Sequence, residues 1–593
     1  MAFVLLCSAL VASWPPMTFW SPDCAAKFLQ MASVRFDHGL RFDVPYVGRS
    51  YDPALAAPPL EPMYYDVRDG ELRMVWPEPF ALAVRPFWAI LGWPGLFVVP
   101  VACGAATVAL SGAVAERIRA GSGWVTAALV AFASPVVLYS VLLWEHTAAV
   151  ALGMLALFWT VVFVQQGGER GRWRAVAAGA AGGLASVGVR AETILFAVAL
   201  LVGAFASLRG RGRWLAPLLG ALGFVAGAAP AWAMNLAVNG RAAPSNAVRN
   251  MEPPTLGYLK SEPLSIVPDF LAGRLAPHWA SWLTTLALAA LVAGYVAHRP
   301  AGRRWPLYVA LAAMALLGAA SLVEMDATKV DRFHGWLAMS PVLALGFLVP
   351  RGTPDGSGAR RMLLVTTLAY GALLVVANAL NLTPNGFGAE TNMEWGPRYW
   401  LLVFPLAAVL VGVHRDALFD AVRASTSSRA VQAIAVVLSL GLLVVSIDFL
   451  RLGWNRIRNT LLAEADVRSA LLAQGDRPLL TDAYITSPMS PEQWLRRPSF
   501  YVDYGDTAGF AAWIEEASAR GLRSFDLASS TPPARHPFLR ARSVGRCVLN
   551  VERVAVYPGG YFVDMGHGGD RVLYVIRVGV VPVDEERGEP EHG

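Results

Sequence analysis

The chain has 593 residues, of which 55% are hydrophobic and only 16% charged, and its mean hydropathy is +0.46. Average soluble proteins carry about 25% charged residues, so the balance excludes an ordinary soluble globular protein and indicates a polytopic membrane protein. The formal charge of +6 does not indicate nucleic acid, because the arginines sit in short clusters between apolar runs and build no continuous basic face.

Thirteen apolar segments approach the roughly 20 residues that a spanning helix needs. They lie near 2–19, 93–114, 124–142, 147–165, 175–190, 192–208, 214–237, 279–297, 306–323, 336–350, 362–381, 399–413 and 430–449. The 175–208 pair is close to one broken hairpin, so eleven to thirteen spans are expected. Residues 1–19 have a second reading as a signal peptide, which the missing Lys and Arg before the apolar run disfavour. Residues 20–92 form the first long loop. Residues 23–36 read as a short amphipathic helix, followed by an irregular stretch rich in Pro and Tyr. Trp76-Pro77-Glu78-Pro79 then opens a segment suited to the membrane interface. Residues 238–278 form a second long loop with the length of a lid or binding loop. From 451 onward charge rises. Strands are expected over 477–482, 522–527, 547–557 and 571–581, and a helix over 507–520. The expected division is a transmembrane domain over 1–450, a small α/β domain over 451–583 and a disordered tail over 584–593.

Six short loops carry the arginines, among them Arg117/Arg119, Arg170/Arg172/Arg174, Arg209/Arg211/Arg213 and Arg415/Arg423/Arg429. The positive-inside rule makes these loops cytoplasmic. The N-terminus is then inside, and the C-terminal domain is on the outer side of a bacterial cytoplasmic membrane. Ionisable residues at the outer helix ends are expected to gather on that side: Asp23, Glu145, His146, Arg190, Glu192 and Arg398. Charges at the bilayer boundary are costly unless paired or wetted, which makes them functional candidates. Each has a plainer reading too. Asp23 would cap the following helix, Glu145-His146 would cap another, Arg190 and Glu192 would pair across a hairpin, and Arg398 would reach lipid phosphate. The four cysteines, Cys7, Cys24, Cys103 and Cys547, have neither CxxC nor metal spacing. A Cys24–Cys547 disulfide is topologically open, and Cys24 otherwise reads as packing.

Ser21-Pro22-Asp23…Lys27 after the first apolar segment, Trp144-Glu145-His146, Arg190-Ala-Glu192 and Gly396-Pro397-Arg398-Tyr399, set in this architecture, resemble the GT-C class of integral-membrane glycosyltransferases. Bacterial protein O-mannosyltransferase-like enzymes and the lipid A aminoarabinose transferase are the nearest types. The resemblance implies an all-α polytopic fold with an outer α/β domain. It implies a sugar donor linked to polyprenyl phosphate and inverting transfer to an acceptor hydroxyl, with Asp23 as general base and Arg190 and Arg398 on the donor phosphate. Glu145, His146 and Glu192 would then hold the acceptor or a divalent ion. An isolated Glu-His pair does not define a metal site, so metal use, the acceptor (protein, lipid or glycan) and the oligomeric state stay open. The class often has two adjacent acids where this chain has Asp23-Cys24. The alternatives are a lipid-linked glycan polymerase or ligase, for which the first loop is unusually dominant, and a transporter or flippase, which calls for charged or broken helices at mid-membrane.

Overall fold

The computed structural model describes residues 1–36, 40–241, 267, 270–271, 279–301, 304–327, 335–348, 358–380, 400–482, 491–541, 543–558 and 572–583. Most of the 238–278 loop and the whole of 584–593 lie outside this set. The N-terminal elements are α1 (Ala2–Ala12), α2 (Pro22–Ala32), strands β1 (Asp43–Val44), β2 (Tyr65–Arg68) and β3 (Glu71–Met74), and α3 (Glu78–Leu91). The helical body then runs through α4 (Val98–Ile118), α5 (Gly123–Phe132), α6 (His146–Gln165), α7 (Arg172–Gly183), α8 (Thr193–Ser207), α9 (Gly210–Asn239), α10 (Trp279–Ala301) and α11 (Arg304–Ala327). It continues with α12 (Ala359–Ala379), α13 (Val403–His414), α14 (Ala417–Ser425) and the long α15 (Arg429–Leu472). The C-terminal elements are β4 (Leu479–Thr481), β5 (Ser499–Tyr501), α16 (Thr507–Ala519), β6 (Ser524–Ser529), β7 (Ser543–Val544), β8 (Cys547–Pro558) and β9 (Val572–Pro582).

Among the described residues, six helices are long and apolar enough to cross a membrane: Trp93–Ile118, His146–Gln165, Gly210–Asn239, Trp305–Val323, Ala359–Ala377 and Arg429–Leu472. Four shorter apolar helices accompany them. The chain is therefore a multi-pass, mainly helical membrane protein with a C-terminal sheet domain. Several expected segments are not single long helices: the 2–19 run is helical only over Ala2–Ala12, and the 175–190 run passes into a π-helical stretch after Gly183. The 124–142 run stops at Phe132 and resumes as a short helix after Pro135, and the 336–350 run breaks at Ser340-Pro341 into a turn of α-helix and a 3-10 stretch. Proline lacks the amide that an uninterrupted helix needs and crowds the preceding turn, so each of these last two breaks falls where the sequence places one.

The chain divides into two compact units, Met1–Ala9 with Val98–Trp454, and Leu10–Phe97 with Asn455–Gly593. Within the first, α7 and α9 touch backbone to backbone. A Cβ on Gly183 would lie 2.1 Å from the Phe224 carbonyl oxygen, and one on Gly227 would lie 2.0 Å from that of Ala180. Small residues permit this approach, which is how helices associate where lipid removes the hydrophobic drive. Gly183→Leu would force the helices apart. The expected cost is at least about 1–3 kcal/mol, read as a lower melting temperature of the purified protein in detergent.

The second unit joins the start of the chain to its end. Its larger sheet has the order β5-β4-β6-β9-β8-β7, with β5, β4 and β6 parallel and the rest antiparallel. The core of that sheet (Leu480, Phe500, Trp513, Leu527) is continuous with Leu29 and Trp76 from the N-terminal loop. The Tyr501 amide donates to the Pro58 carbonyl at 3.2 Å. The division expected at residue 450 thus differs from the packing, in which Leu10–Phe97 belongs with Asn455–Gly593. The strands expected near 477–482, 522–527, 547–557 and 571–581 are present as β4, β6, β8 and β9, and the 507–520 helix as α16. The stretch read as irregular instead holds the antiparallel sheet β1-β3-β2. Asp69 and Gly70, both at positive φ (53° and 73°), form its two-residue hairpin turn.

Candidate functional site

Helix α2 begins at Ser21, whose extended backbone (φ −148°, ψ 160°) and side chain cap the helix by accepting the Cys24 amide at 3.3 Å. Pro22 follows at the first helical position, where its missing amide costs nothing. Asp23 is therefore not the cap that its position suggests. It sits in the first turn of α2, half-buried, where the helix dipole favours a negative charge. The Cys24 thiol beside it is buried and accepts from the Ser21 hydroxyl at 3.4 Å. Burial pushes its pKa up to about 12, so it stays a neutral thiol and is neither nucleophile nor ready metal ligand. Cys24 and Cys547 are free thiols.

Helix α2 is anchored along this same face, since Lys27 and Gln30 follow Asp23 at i+4 and i+7. Gln30 donates from Nε2 to the Trp76 carbonyl at 2.7 Å, and the buried Lys27 ammonium lies 4.5 Å from the Trp76 ring centroid. A cation over an indole face gains from the ring quadrupole, most of all when desolvated. Tyr64 stacks on Trp76 with ring centroids 5.7 Å apart, and both rings are buried. These aromatics belong to the core that holds α2, together with Ala26 and Leu29.

In the helical unit, Glu145, Arg190 and Glu192 come together. After Gly183 the chain makes a π-helical stretch, Leu184–Val189, and Arg190 leaves it in extended conformation (φ −146°, ψ 114°) before α8 begins. The widened turn lets Arg190 point away from the helix axis, a common use of π-helical insertions at functional sites. Its Nη1 donates to Glu145 Oε1 at 2.9 Å and its Nε to Glu192 Oε1 at 2.6 Å. Glu145 and Arg190 are buried, whereas Glu192 keeps 15% of its side-chain surface exposed. The Thr193 hydroxyl donates to the Arg190 carbonyl at 2.8 Å and steadies the corner. His146, next to Glu145, opens α6 and packs against the Trp144 and Tyr139 rings at 5.1 and 5.7 Å.

Of the residues expected to act together, the structure gathers Glu145, Arg190 and Glu192 with His146 alongside. Asp23 belongs to the other compact unit. Arg398 lies outside the described residues. Among the described residues, no three His, Cys, Asp or Glu side chains gather to hold a metal ion. Three further residues contribute. Ser21 was recognisable from the Ser-Pro helix start. Tyr139, buried and stacked on Trp144 at 5.5 Å, carried no signal distinguishing it from core. Glu464, near the end of α15, accepts the backbone amide of Phe19, and only the fold reveals that pairing.

No protein-family model matches the chain, and no curated protein matches it in sequence. Solved structures resemble its overall course. ArnT from Cupriavidus metallidurans, bound to undecaprenyl phosphate, is 13% identical over 97% of each chain, with a TM-score of 0.49. The Archaeoglobus fulgidus oligosaccharyltransferase is 12% identical over 88% of this chain and 67% of its own, with a TM-score of 0.42. The mycobacterial arabinofuranosyltransferase AftD is 14% identical over 97% of this chain and 39% of its own, with a TM-score of 0.45.

Proposed function

We propose that the chain is a GT-C-type membrane glycosyltransferase that moves a sugar from a polyprenyl-phosphate donor to an acceptor hydroxyl on the outer face of the cytoplasmic membrane, with inversion. The observation that carries this reading is the start of α2. Ser21 supplies the cap, and the Asp23 carboxylate stands half-buried in the first turn of α2, in the segment that follows the first apolar helix. In the proposed step Asp23 takes the proton of the acceptor hydroxyl. The acceptor oxygen bonds to the anomeric carbon, the bond from that carbon to the phosphate oxygen breaks on the opposite face, and polyprenyl phosphate leaves with the electron pair. Arg190 and Arg398 are the proposed phosphate ligands, with a guanidinium fork suited to two phosphate oxygens. Glu145, Glu192 and His146 position Arg190 or the acceptor. An apolar groove of about 270 Å³, lined by Phe163, Gly179, Ile194, Leu201 and Phe224 among others, runs between α6, α7, α8 and α9 and would suit a prenyl chain.

Membranes containing the full chain, given a panel of undecaprenyl-phosphate-linked hexoses and pentoses, should release undecaprenyl phosphate from at least one in the presence of membrane acceptors. Release from none of them, with the protein folded, would sink the proposal. The assignment of Arg190 has its own test, because a donor phosphate must compete with Glu192 for the guanidinium. Glu192→Gln removes that competitor and should lower the donor KM. A donor KM unaltered by the change would count against phosphate binding by Arg190.

A further inference from the structure

Glu464 is a buried carboxylate, 3% exposed, that the proposed chemistry does not use. It lies on α15, in the stretch that packs with the N-terminal loop. Among the described residues it makes no ion pair, and its Oε2 accepts one hydrogen bond, from the backbone amide of Phe19. Burying a carboxyl group without a cation costs stability unless it is hydrogen-bonded, and the Phe19 amide supplies that bond. What the bond fixes is specific. Phe19 lies four residues before Asp23, between α1 and α2. Its ring, 2% exposed, meets Phe28 of α2 at 5.3 Å and Trp93 at 5.5 Å. Phe28 in turn meets Trp88 of α3 at 5.9 Å. Phe19 is thus a junction held at its backbone by α15 and at its ring by the helix that carries Asp23.

We infer that Glu464 is a positioning residue for Asp23: by receiving the Phe19 amide it fixes the chain where α1 hands over to α2, and so sets the carboxylate against the acceptor hydroxyl. This inference rests on the reading of Asp23 as base. Glu464→Asp keeps the carboxyl group and withdraws its oxygens by one methylene; Glu464→Gln keeps the side-chain length and an oxygen acceptor in place. Displacement of a reacting group by about 1 Å can cost about 10²-fold, so E464D should lower kcat by about 10–100-fold with the donor KM within about threefold. E464Q should stay within about threefold of the parent in both parameters.

Amide hydrogen exchange at Phe19 should rise in E464D and stay slow in E464Q, which reads the bond directly and independently of turnover. In an Asp23→Asn background, E464D should remove less than about twofold of the remaining rate, because residues acting through one group are not additive. Three results would overturn the inference: an unchanged kcat in E464D although Phe19 has lost protection, a loss in E464Q equal to that in E464D, or full additivity with Asp23→Asn. Full turnover by Asp23→Asn alone would instead sink the base assignment.

Discussion

Asp23→Asn is expected to leave a correctly folded protein that transfers sugar at least about 10²-fold and up to about 10⁴-fold more slowly, the range that a positioned base contributes. The variant is nearly isosteric, and Ser21 rather than Asp23 caps α2, so the helix start survives. The lost property is proton acceptance, since an amide cannot take the proton of the attacking hydroxyl. The loss should fall on kcat, with the donor KM little changed, because the carboxylate acts on the acceptor and not on the phosphate. Initial rates at saturating donor, with melting temperature as the control for folding, provide the check. A fall confined to KM would move Asp23 from base to binding residue.

The second large effect is expected at Arg190. Its guanidinium serves two carboxylates through separate edges, Nη1 toward Glu145 and Nε toward Glu192. Arg190→Met fills much of the volume but leaves Glu145 without that partner in a buried setting. Removing one member of a buried pair costs about 3–5 kcal/mol, so a large drop in melting temperature is expected together with loss of transfer. Arg190→Lys separates charge from geometry. An ammonium cannot reproduce the planar fork, so most of the stability should return while transfer remains impaired. If Lys restored both, a point charge would be sufficient and the bidentate phosphate role would fail. If Met cost no stability, the network around Glu145 would not depend on Arg190 at all.

The helical body was readable because a spanning segment is a local property. About 20 apolar residues announce a span, and Pro135 and Pro341 mark two of the breaks that the run lengths concealed. The C-terminal strands were readable for the same reason, since β8 and β9 are long and regular. The hairpin over Tyr65–Met74 had a clear signal in Asp69-Gly70, which the neighbouring prolines and tyrosines obscured. Strand β5, three residues long, had no signal above its surroundings. At the candidate site, Arg190 and Glu192 are two residues apart and their pairing was legible. Glu145 lies 45 residues from its partner Arg190, and only the expected topology connects the two. The pairing of Phe19 with Glu464 spans 445 residues and has no periodicity to betray it. Nonlocal polar pairs of this kind depend on the finished fold, and a single sequence does not encode them as a pattern.

The core shared by the N-terminal loop and the C-terminal sheet also bears on the order of events during synthesis. Residues 20–92 leave the ribosome early, yet Leu480, Phe500 and Leu527, which complete the core around Leu29 and Trp76, come last. Contacts between the two ends of a chain cannot form until the later end exists. At about 5–20 residues per second, the loop would wait for on the order of half a minute or more with its apolar face uncovered. The segment carrying Asp23 would then reach its final packing only once the whole polypeptide has been made, so a prematurely terminated chain would not display a finished α2 corner.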